Sequence, residues 1–237
     1  MTTPRPVLVV EHEKGCPAAL FGQDLPAVTV VRPYLGDPLP DTLDDHAGLV
    51  VLGGEMAAWD DEVAPWLPAV RDLLARAVTG RVPTLGICLG AQLLALATGG
   101  EVGRGPRGPE VGLTEVTARP GTDPFFGAVA ADLGTTRWTV RQSHGDAVLT
   151  LPPGAELLVT GNIYPHQGFR VGEAAWGVQY HPEVTADGFA AWVARGVAKG
   201  RVSDPDAVLG PVRAAEPAQQ RLARAHAAAF VQQLPNQ

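Results

Sequence analysis

The stretch Val82-Pro-Thr-Leu-Gly-Ile-Cys88-Leu-Gly90-Ala-Gln92 is an apolar run that leads directly into a helical pattern. Cys88 stands at the joint, with Gly86 and Gly90 on either side. Small neighbours permit the strained strand-to-helix turn that lifts a nucleophile above the edge of a sheet. The N-terminus of the following helix favours a thiolate. The stretch therefore predicts a reactive cysteine, against the alternative of a small buried apolar residue.

Short apolar runs on both sides of this stretch are bounded by turn residues. Those at 7–10, 28–31, 49–52 and 82–87 predict strands buried on both faces of a parallel sheet, and the periodicity of 66–77 and 89–97 predicts helices packed on it. A further helix is predicted over 186–198. Runs at 111–117, 135–140, 157–160 and 169–171 lack long helical patterns between them. We therefore expect an α/β fold, with a central mostly parallel sheet flanked by helices and a small antiparallel extension.

The chain has 237 residues, 46% of them apolar, which is enough material for one core. Residues 1–200 are predicted to form the main domain. Residues 201–237 are predicted to be a connector, rich in Pro and Asp, followed by a C-terminal helix that packs on the same domain. In that helix Leu222, Ala225, Ala229 and Phe230 would share one face.

Composition argues against several classes of protein. The net charge is −7, and no block of Lys and Arg offers a surface for nucleic acid. No apolar run approaches the roughly 20 residues needed to cross a bilayer, and residues 1–6 lack the build of a signal peptide. We therefore expect a cytoplasmic protein that binds neither nucleic acid nor membrane.

Cofactor and metal sites are not predicted either. The chain has only two cysteines, Cys16 and Cys88, and no second cluster of ligand side chains with metal-binding spacing. The G-x-G-x-x-G pattern at 103–108 contains Pro106 and is followed by no helical pattern, so it indicates a turn. Arg104 and Arg107 in that turn are either solvated loop charges or contacts for a substrate carboxylate.

His181 is the strongest candidate for a general base among the six histidines. It ends the apolar run 175–180, and active sites of α/β sheets lie at the carboxyl ends of strands. Pro182 then forces a turn, and Glu183 follows with a carboxylate able to orient the imidazole ring. The alternative is a structural histidine after a strand, which is common.

Together these segments resemble the class I glutamine amidotransferase family, in order and over nearly the whole chain to Gly200. The elbow around Cys88 is similar to the nucleophile motif of the family, and Trp176-Gly-Val-Gln-Tyr-His181-Pro-Glu183 is similar to its His/Glu motif. The run 49–54, ending in Gly53-Gly54, matches its oxyanion turn. Ser143-His144-Gly145-Asp146 resembles the substrate-facing stretch in the amidotransferase domain of GMP synthetase.

The resemblance implies a flavodoxin-like sheet and a role for each matching residue. Cys88 would attack a γ-carboxamide, His181 would act as base and then as acid, and Glu183 would orient His181. The backbone N–H groups of Gly54 and Leu89 would form the oxyanion hole. The residues implied around the two ends of a glutamine-like substrate are Gln92, Ser143, His144, Gly145 and Asp146.

Two of these substrate contacts have simpler alternatives. Gln92 could be a polar residue on an exposed helix face, and Asp146 could be a turn cap. The segment 55–61 also departs from the usual proline-containing turn, and Glu55 beside an oxyanion would be unfavourable unless its side chain points away.

The function implied is hydrolysis of glutamine or a γ-glutamyl amide through a γ-glutamyl thioester, with release of ammonia or an amine. The chain contains no P-loop or synthetase segment, so a dissociable synthetase partner that takes the ammonia is one possibility. A γ-glutamyl peptide or amide hydrolase without an ammonia acceptor is the second. A non-catalytic binding or regulatory subunit on the same fold is the third.

Overall fold

The computed structural model describes residues 5–119, 121 and 123–235. The prediction that residues 1–6 are not a signal peptide rests mainly on residues 1–4, which lie outside this range. None of the helices in the described residues is both long and apolar enough to cross a membrane. The strands are β1 (Val7–Val10), β2 (Val28–Val31), β3 (Gly48–Val51), β4 (Thr84–Ile87), β5 (Glu101–Arg104), β6 (Glu110–Ala118), β7 (Arg137–His144), β8 (Asp146–Thr150), β9 (Glu156–Gly161), β10 (Gly168–Val171) and β11 (Ala175–Val178). The helices are α1 (Ala19–Gly22), α2 (Leu67–Thr79), α3 (Leu89–Ala97), α4 (Pro124–Leu133), α5 (Ala186–Ala198), α6 (Pro205–Ala214) and α7 (Glu216–Val231).

Nine strands form one sheet in the order β2-β1-β3-β4-β11-β10-β9-β6-β7. The first five are parallel to one another, and the last four extend the sheet with antiparallel pairs. A separate antiparallel ribbon pairs β5 with β8. The predicted fold class, an α/β sheet with helices on both sides and an antiparallel extension, is confirmed.

Helices cover both faces of the sheet because successive strand residues point to opposite sides. In β1, Val7 and Val9 belong to a core covered by α1, α4 and α7, while Leu8 and Val10 belong to a core covered by α2 and α3. A third apolar cluster joins α5 to α6 and includes Cys16 and Trp192. Strands β1, β3 and β4 are buried on both faces, as predicted. The same prediction was wrong for β2, because β2 is the edge strand of the sheet and Val28 and Thr29 are exposed.

Three helices, α1, α4 and α6, and one pair of strands were not predicted from the sequence. Helix α4 begins with Pro124 after Asp123, whose carboxylate accepts hydrogen bonds from the N–H groups of Phe125 and Phe126. Helix α6 occupies most of the predicted connector, although Pro211 lies inside it. Its N-cap, Asp204, accepts from the N–H of Ala207, and packing against α5 and β6 stabilises it. Strands β5 and β8 are short and pair only with each other.

The strand-to-helix turn at Cys88 requires the two glycines beside it. A Cβ atom on Gly90 would lie 2.0 Å from the carbonyl oxygen of Val51, and one on Gly86 would lie 2.5 Å from that of Gly90. Both obstacles are backbone atoms of the packed sheet and helix, which cannot move aside as a flexible side chain can. Close approach of α3 to the sheet therefore depends on these glycines.

We expect Gly90→Ala to destabilise the protein by about 3 kcal/mol or more, because the added methyl group overpacks against backbone. Gly210→Ala is the matched control. Gly210 lies on the exposed side of α6 with no atom close to an added Cβ, so that change should be neutral or slightly stabilising. Urea unfolding of both variants measures the difference. Equal stability of the two would mean that the elbow tolerates a side chain.

Candidate active site

The sheet places Cys88 and the segment containing His181 at the same edge. Strands β4 and β11 are parallel neighbours, with Ile87 paired to Val178, so the residues that follow them leave the sheet side by side. Cys88 follows β4 directly, with φ 51° and ψ −105°, and its N–H donates to the carbonyl of Val178 at 2.7 Å. Positive φ in a residue other than glycine is a strained conformation of the kind found at functional sites. The predicted elbow is therefore present.

His181 and Glu183 form a buried pair beside Cys88. Glu183 Oε1 lies 2.7 Å from His181 Nδ1, which leaves the other ring nitrogen for the thiol side. Burial lowers the pKa of His181, but Glu183 and the hydrogen-bonded Cys88 raise it by more, so the pKa lies above its usual value. The raised pKa favours the protonated form of this imidazole.

Helix α5 supplies the wall behind this imidazole. The rings of His181 and Trp192 meet at a centroid distance of 4.6 Å and an angle of 64°. Trp192 Nε1 donates to the carbonyl of Gly15 at 2.8 Å, which fixes the indole. The indole and the Glu183 carboxylate together restrict the position of the imidazole ring.

The glycine turn after β3 lies against the same pair. A Cβ on Gly53 would come within 3.1 Å of His181 Cε1 and 3.8 Å of Cys88 Cβ, and one on Gly54 would come within 3.0 Å of Leu89 Cδ2. Leu89 is the first residue of α3, so its N–H has no partner within the helix. The two predicted oxyanion residues are thus neighbours at the elbow.

Glu55 points away from this turn. Its carboxylate pairs with Arg195 on α5 at 2.7 Å and with Lys199, which directly follows α5. The hydrogen bond from Lys199, assisted by Arg195, holds the pKa of Glu55 below its usual value although partial burial acts in the opposite direction. The Glu55 side chain therefore points away from the oxyanion position, as the sequence analysis requires for an acidic residue beside this turn.

A cavity of about 630 Å³ opens at the elbow. Eight of the ten residues predicted for the site line it: Gly54, Cys88, Gln92, Ser143, His144, Gly145, Asp146 and His181. The other two, Leu89 and Glu183, lie directly behind this lining. The structure therefore brings all the predicted residues together, although they come from four separate segments of the chain.

Gln92 is buried rather than exposed on the helix surface. Its Nε2 donates to the carbonyl of Asp146 at 3.0 Å and to Gln179 Oε1 at 3.2 Å. Gln179 in turn points its Nε2 at Cys88 Sγ, 3.6 Å away. A chain of amide groups thus connects the 143–146 segment to the sulfur atom.

The segment 143–146 is held by a second buried pair. His144 lies 3.0 Å from Glu110 through Nε2 and 2.9 Å from the carbonyl of Asp146 through Nδ1. Asp146 also pairs with Arg104 at 3.0 Å, which opposes the rise in the pKa of Asp146 caused by burial. Arg104 is the last residue of β5 and lines the cavity, so the predicted turn over 103–108 begins only after Arg104, and one of its two arginines reaches the site.

Cys16 unexpectedly lines the same cavity. It is buried, and its Sγ lies 3.3 Å from Glu13 Oε1. Burial raises the pKa of Cys16 far above its usual range, and the charge and hydrogen bond of Glu13 add to this. Two thiols therefore face one cavity in opposite electrostatic settings, because only Cys88 has a helix N-terminus and an imidazole beside it.

Three residues that contact the predicted site were missed from the sequence: Gln179, Trp192 and Glu110. A signal existed for Gln179, because it is a polar residue in an apolar strand run and lies on the same side as His181, two positions later. No local pattern distinguishes Trp192 or Glu110 from ordinary helix and strand residues. Among the described residues, no group of three or more His, Cys, Asp or Glu side chains is arranged to hold a metal ion.

Known proteins resemble this chain over most of its length. The family model described as Glutamine amidotransferase class-I matches residues 28–197. The chain is 36% identical over 155 residues to the GMP synthase [glutamine-hydrolyzing] of Porphyromonas gingivalis, covering 65% of this chain and 28% of that protein. It is 31% identical over 154 residues to Gamma-glutamyl peptidase 4 of Arabidopsis thaliana, covering 63% of this chain and 59% of that protein. The chain therefore spans less than a third of the GMP synthase that it matches.

Solved structures agree with the sequence comparison. A glutamine amido transferase from Methylobacillus flagellatus has a TM-score of 0.86 at 27% identity, covering 99% of this chain and 97% of that one. A glutamine amidotransferase from Thermotoga maritima has a TM-score of 0.82 at 28% identity, covering 97% of this chain and 99% of that one. Since the family model matches well over half of the residues, in a fold that its solved relatives share, this chain belongs to the class-I glutamine amidotransferase family.

Proposed function

We propose that this chain hydrolyses the γ-carboxamide of glutamine or of a γ-glutamyl amide through a γ-glutamyl thioester on Cys88. The observation that supports it most is the strained Cys88 at the head of α3, sharing one cavity with the buried His181–Glu183 pair. The family is enzymatic and includes relatives named for glutamine hydrolysis and for γ-glutamyl peptidase activity. The specific triad is our assignment.

In this mechanism the Cys88 thiolate attacks the γ-carbonyl carbon, and the C–S bond forms as the carbonyl oxygen becomes an oxyanion. His181, protonated at the start, gives its proton to the leaving nitrogen as the C–N bond breaks. A water molecule then attacks the thioester while His181 takes a proton from it. The products are glutamate and ammonia or an amine, and Glu183 keeps the imidazole in the required orientation throughout.

Two backbone N–H groups are assigned to the oxyanion, those of Gly54 and Leu89. Each such donor is typically worth about 3 kcal/mol of barrier when it is aimed at the developing charge. The Gln179 amide is well placed to donate to the sulfur before attack. We assign the 143–146 segment and Gln92 to the α-amino and α-carboxylate groups of the glutamyl part, since they line the cavity and hold one another.

We favour hydrolysis without an ammonia acceptor over service to a synthetase. Members of the family that need a synthetase mostly keep a Gly-Gly-Pro turn, whereas the turn after Gly54 here lacks proline and its Glu55 pairs with Arg195 and Lys199. A dissociable synthetase partner remains the competing assignment, because relatives include GMP synthases.

The purified protein alone should release ammonia or amine from at least one of glutamine and a panel of γ-glutamyl amides. Enzymatic assays of glutamate and of the freed amine measure this directly. If no compound in the panel is hydrolysed, but adding a cell-extract fraction restores activity, the chain is a dissociable amidotransferase subunit instead. If no compound is hydrolysed in either condition, the result favours a non-catalytic binding or regulatory subunit.

A chloroketone analogue of glutamine should alkylate Cys88 in preference to Cys16 at neutral pH. The reason is electrostatic: both thiols face the cavity, but the raised pKa of Cys16 keeps that thiol protonated. Peptide mapping by mass spectrometry after partial labelling gives the ratio, and labelling in denaturant is the control for intrinsic reactivity. Equal labelling of the folded protein at both sites would show that Cys88 is not specially activated.

A further inference from the structure

The amine half of a substrate must begin beside His181, because this residue protonates the leaving nitrogen. This argument rests on the proposed function. The surface next to His181 is the indole of Trp192, which its hydrogen bond to Gly15 holds in place. A group attached to the leaving nitrogen therefore starts beside α5. The glutamyl half occupies the part of the cavity built by α3, β5 and β8, where Gln92 and Asp146 lie.

One face of α5 forms a wall of the same cavity for about two turns. Trp192, Arg195, Gly196 and Lys199 all line the cavity, and their spacing of three, four and seven residues places them on one side of a helix. Gly196 has no side chain, and Val202 packs within 2.9 Å of the place where its Cβ would be. This wall is aromatic at Trp192, apolar where Val202 packs on Gly196, and cationic at Lys199.

The charges on this wall do not cancel. Arg195 pairs with Glu55 at 2.7 Å and with Glu13 at 3.4 Å, and Lys199 shares the Glu55 carboxylate. Arg201 also lines the cavity, is exposed, and makes no ion pair with any of the described residues. Within the described part of the chain, the cations Arg195, Lys199 and Arg201 thus face only the carboxylates of Glu13 and Glu55. The positive charge left unpaired there is that of Arg201, at the end of the wall away from Trp192.

We propose that this wall, Trp192 to Arg201, is a binding site for the amine half of the substrate, and that this half carries an apolar group followed by a carboxylate. The substrate class is then a γ-glutamyl amino acid or short γ-glutamyl peptide. Its apolar side chain packs on Trp192 and Val202, and its carboxylate meets Arg201. Attack by Cys88 breaks the amide C–N bond, His181 gives the amino acid its proton, and water releases glutamate.

Four substrates that share the γ-glutamyl half test this assignment: γ-glutamyl-leucine, γ-glutamyl-leucinamide, the γ-glutamyl derivative of butane-1,4-diamine, and glutamine. We expect kcat/KM to be highest for γ-glutamyl-leucine, by about tenfold over the neutral leucinamide, as one charge-assisted contact at a solvent-accessible site predicts. The cationic derivative should be the poorest. Added salt should reduce the preference for the carboxylate, because Arg201 is exposed.

The variant Arg201→Gln should remove most of the preference for γ-glutamyl-leucine over its amide. Arg213→Gln, which changes an exposed arginine on α6, is the matched control and should leave the preference unchanged. Equal kcat/KM for the charged and neutral substrates, fastest turnover of glutamine, or an unchanged preference in Arg201→Gln would each overturn the assignment. All three outcomes require turnover, so they leave the proposed function standing.

If the proposed function is wrong, none of the four compounds will be hydrolysed. In that case calorimetric titration of the Cys88→Ala protein still tests the wall. Tighter binding of γ-glutamyl-leucine than of γ-glutamyl-leucinamide, lost when Arg201→Gln is added, supports the binding site. Equal affinities for the two ligands would reject it.

Discussion

Cys88→Ala should lose thioester formation altogether and lower kcat/KM by at least about 10⁴-fold, the scale expected when the nucleophile of a triad is removed. The fold should survive. Alanine removes a single sulfur atom, and the neighbouring strands and helix stay packed through Val178, Gly86 and Gly90. Trapping of the acyl-enzyme by rapid quenching and intact-mass analysis measures the first effect. Thermal unfolding measures the second.

Cys16→Ala is the control for this variant, because it removes the other buried thiol of the same cavity. It should retain thioester formation. Turnover by Cys88→Ala at the wild-type rate would show that the assigned nucleophile is wrong. Loss of activity in both variants, with normal unfolding, would point to a cavity that needs both sulfur atoms.

The second large effect is expected at Glu216, the first residue of α7. The guanidinium of Arg141 is completely buried and donates to Glu216 and to the carbonyl of Val184. The backbone carbonyl of Arg141 accepts the N–H of His181 at 2.9 Å. Arg141 therefore holds the segment from His181 to Val184 at both ends, and Glu216 balances its charge.

Removing the carboxylate with Glu216→Ala should destabilise the protein by about 3 kcal/mol, because it leaves a buried cation uncompensated. Burial already lowers the pKa of Arg141, and Glu216 is the main group that opposes this. Activity should also fall, since the loop carrying His181 and Glu183 loses an anchor. Urea unfolding and steady-state kinetics measure the two effects separately.

The double change Arg141→Met with Glu216→Leu separates charge from position. It should recover part of the stability, because replacing both members of a buried pair by apolar residues is often nearly neutral. It should not recover activity, because the contact with Val184 is still missing. Glu173→Ala is the control, as it removes an exposed partner of Arg81 and should change stability by less than about 1 kcal/mol. Wild-type stability in Glu216→Ala would contradict the argument.

Sequence patterns were sufficient where the controlling interactions are local. The elbow at Cys88, the parallel strands and the order of Cys88, His181 and Glu183 all follow from neighbouring residues along the chain. Helix α5 was predicted with the bounds 186–198 that the structure has. Helices α4 and α6 were not predicted because Asp and Pro occur both in loops and at helix starts, and only the structure shows that Asp123-Pro124 and Asp204-Pro205 are helix starts.

Tertiary structure decided everything that depends on which distant segments meet. The sequence determined that Cys88 follows one strand and His181 follows another, but only the pairing of β4 with β11 makes those strands neighbours. The contacts of Gln179 with Cys88, Trp192 with His181 and Glu216 with Arg141 join residues 91, 11 and 75 positions apart. The periodicity of a segment records which of its sides is buried, and this is why the fold could be predicted. It does not record what covers that side, because any apolar or complementary polar surface satisfies the same pattern.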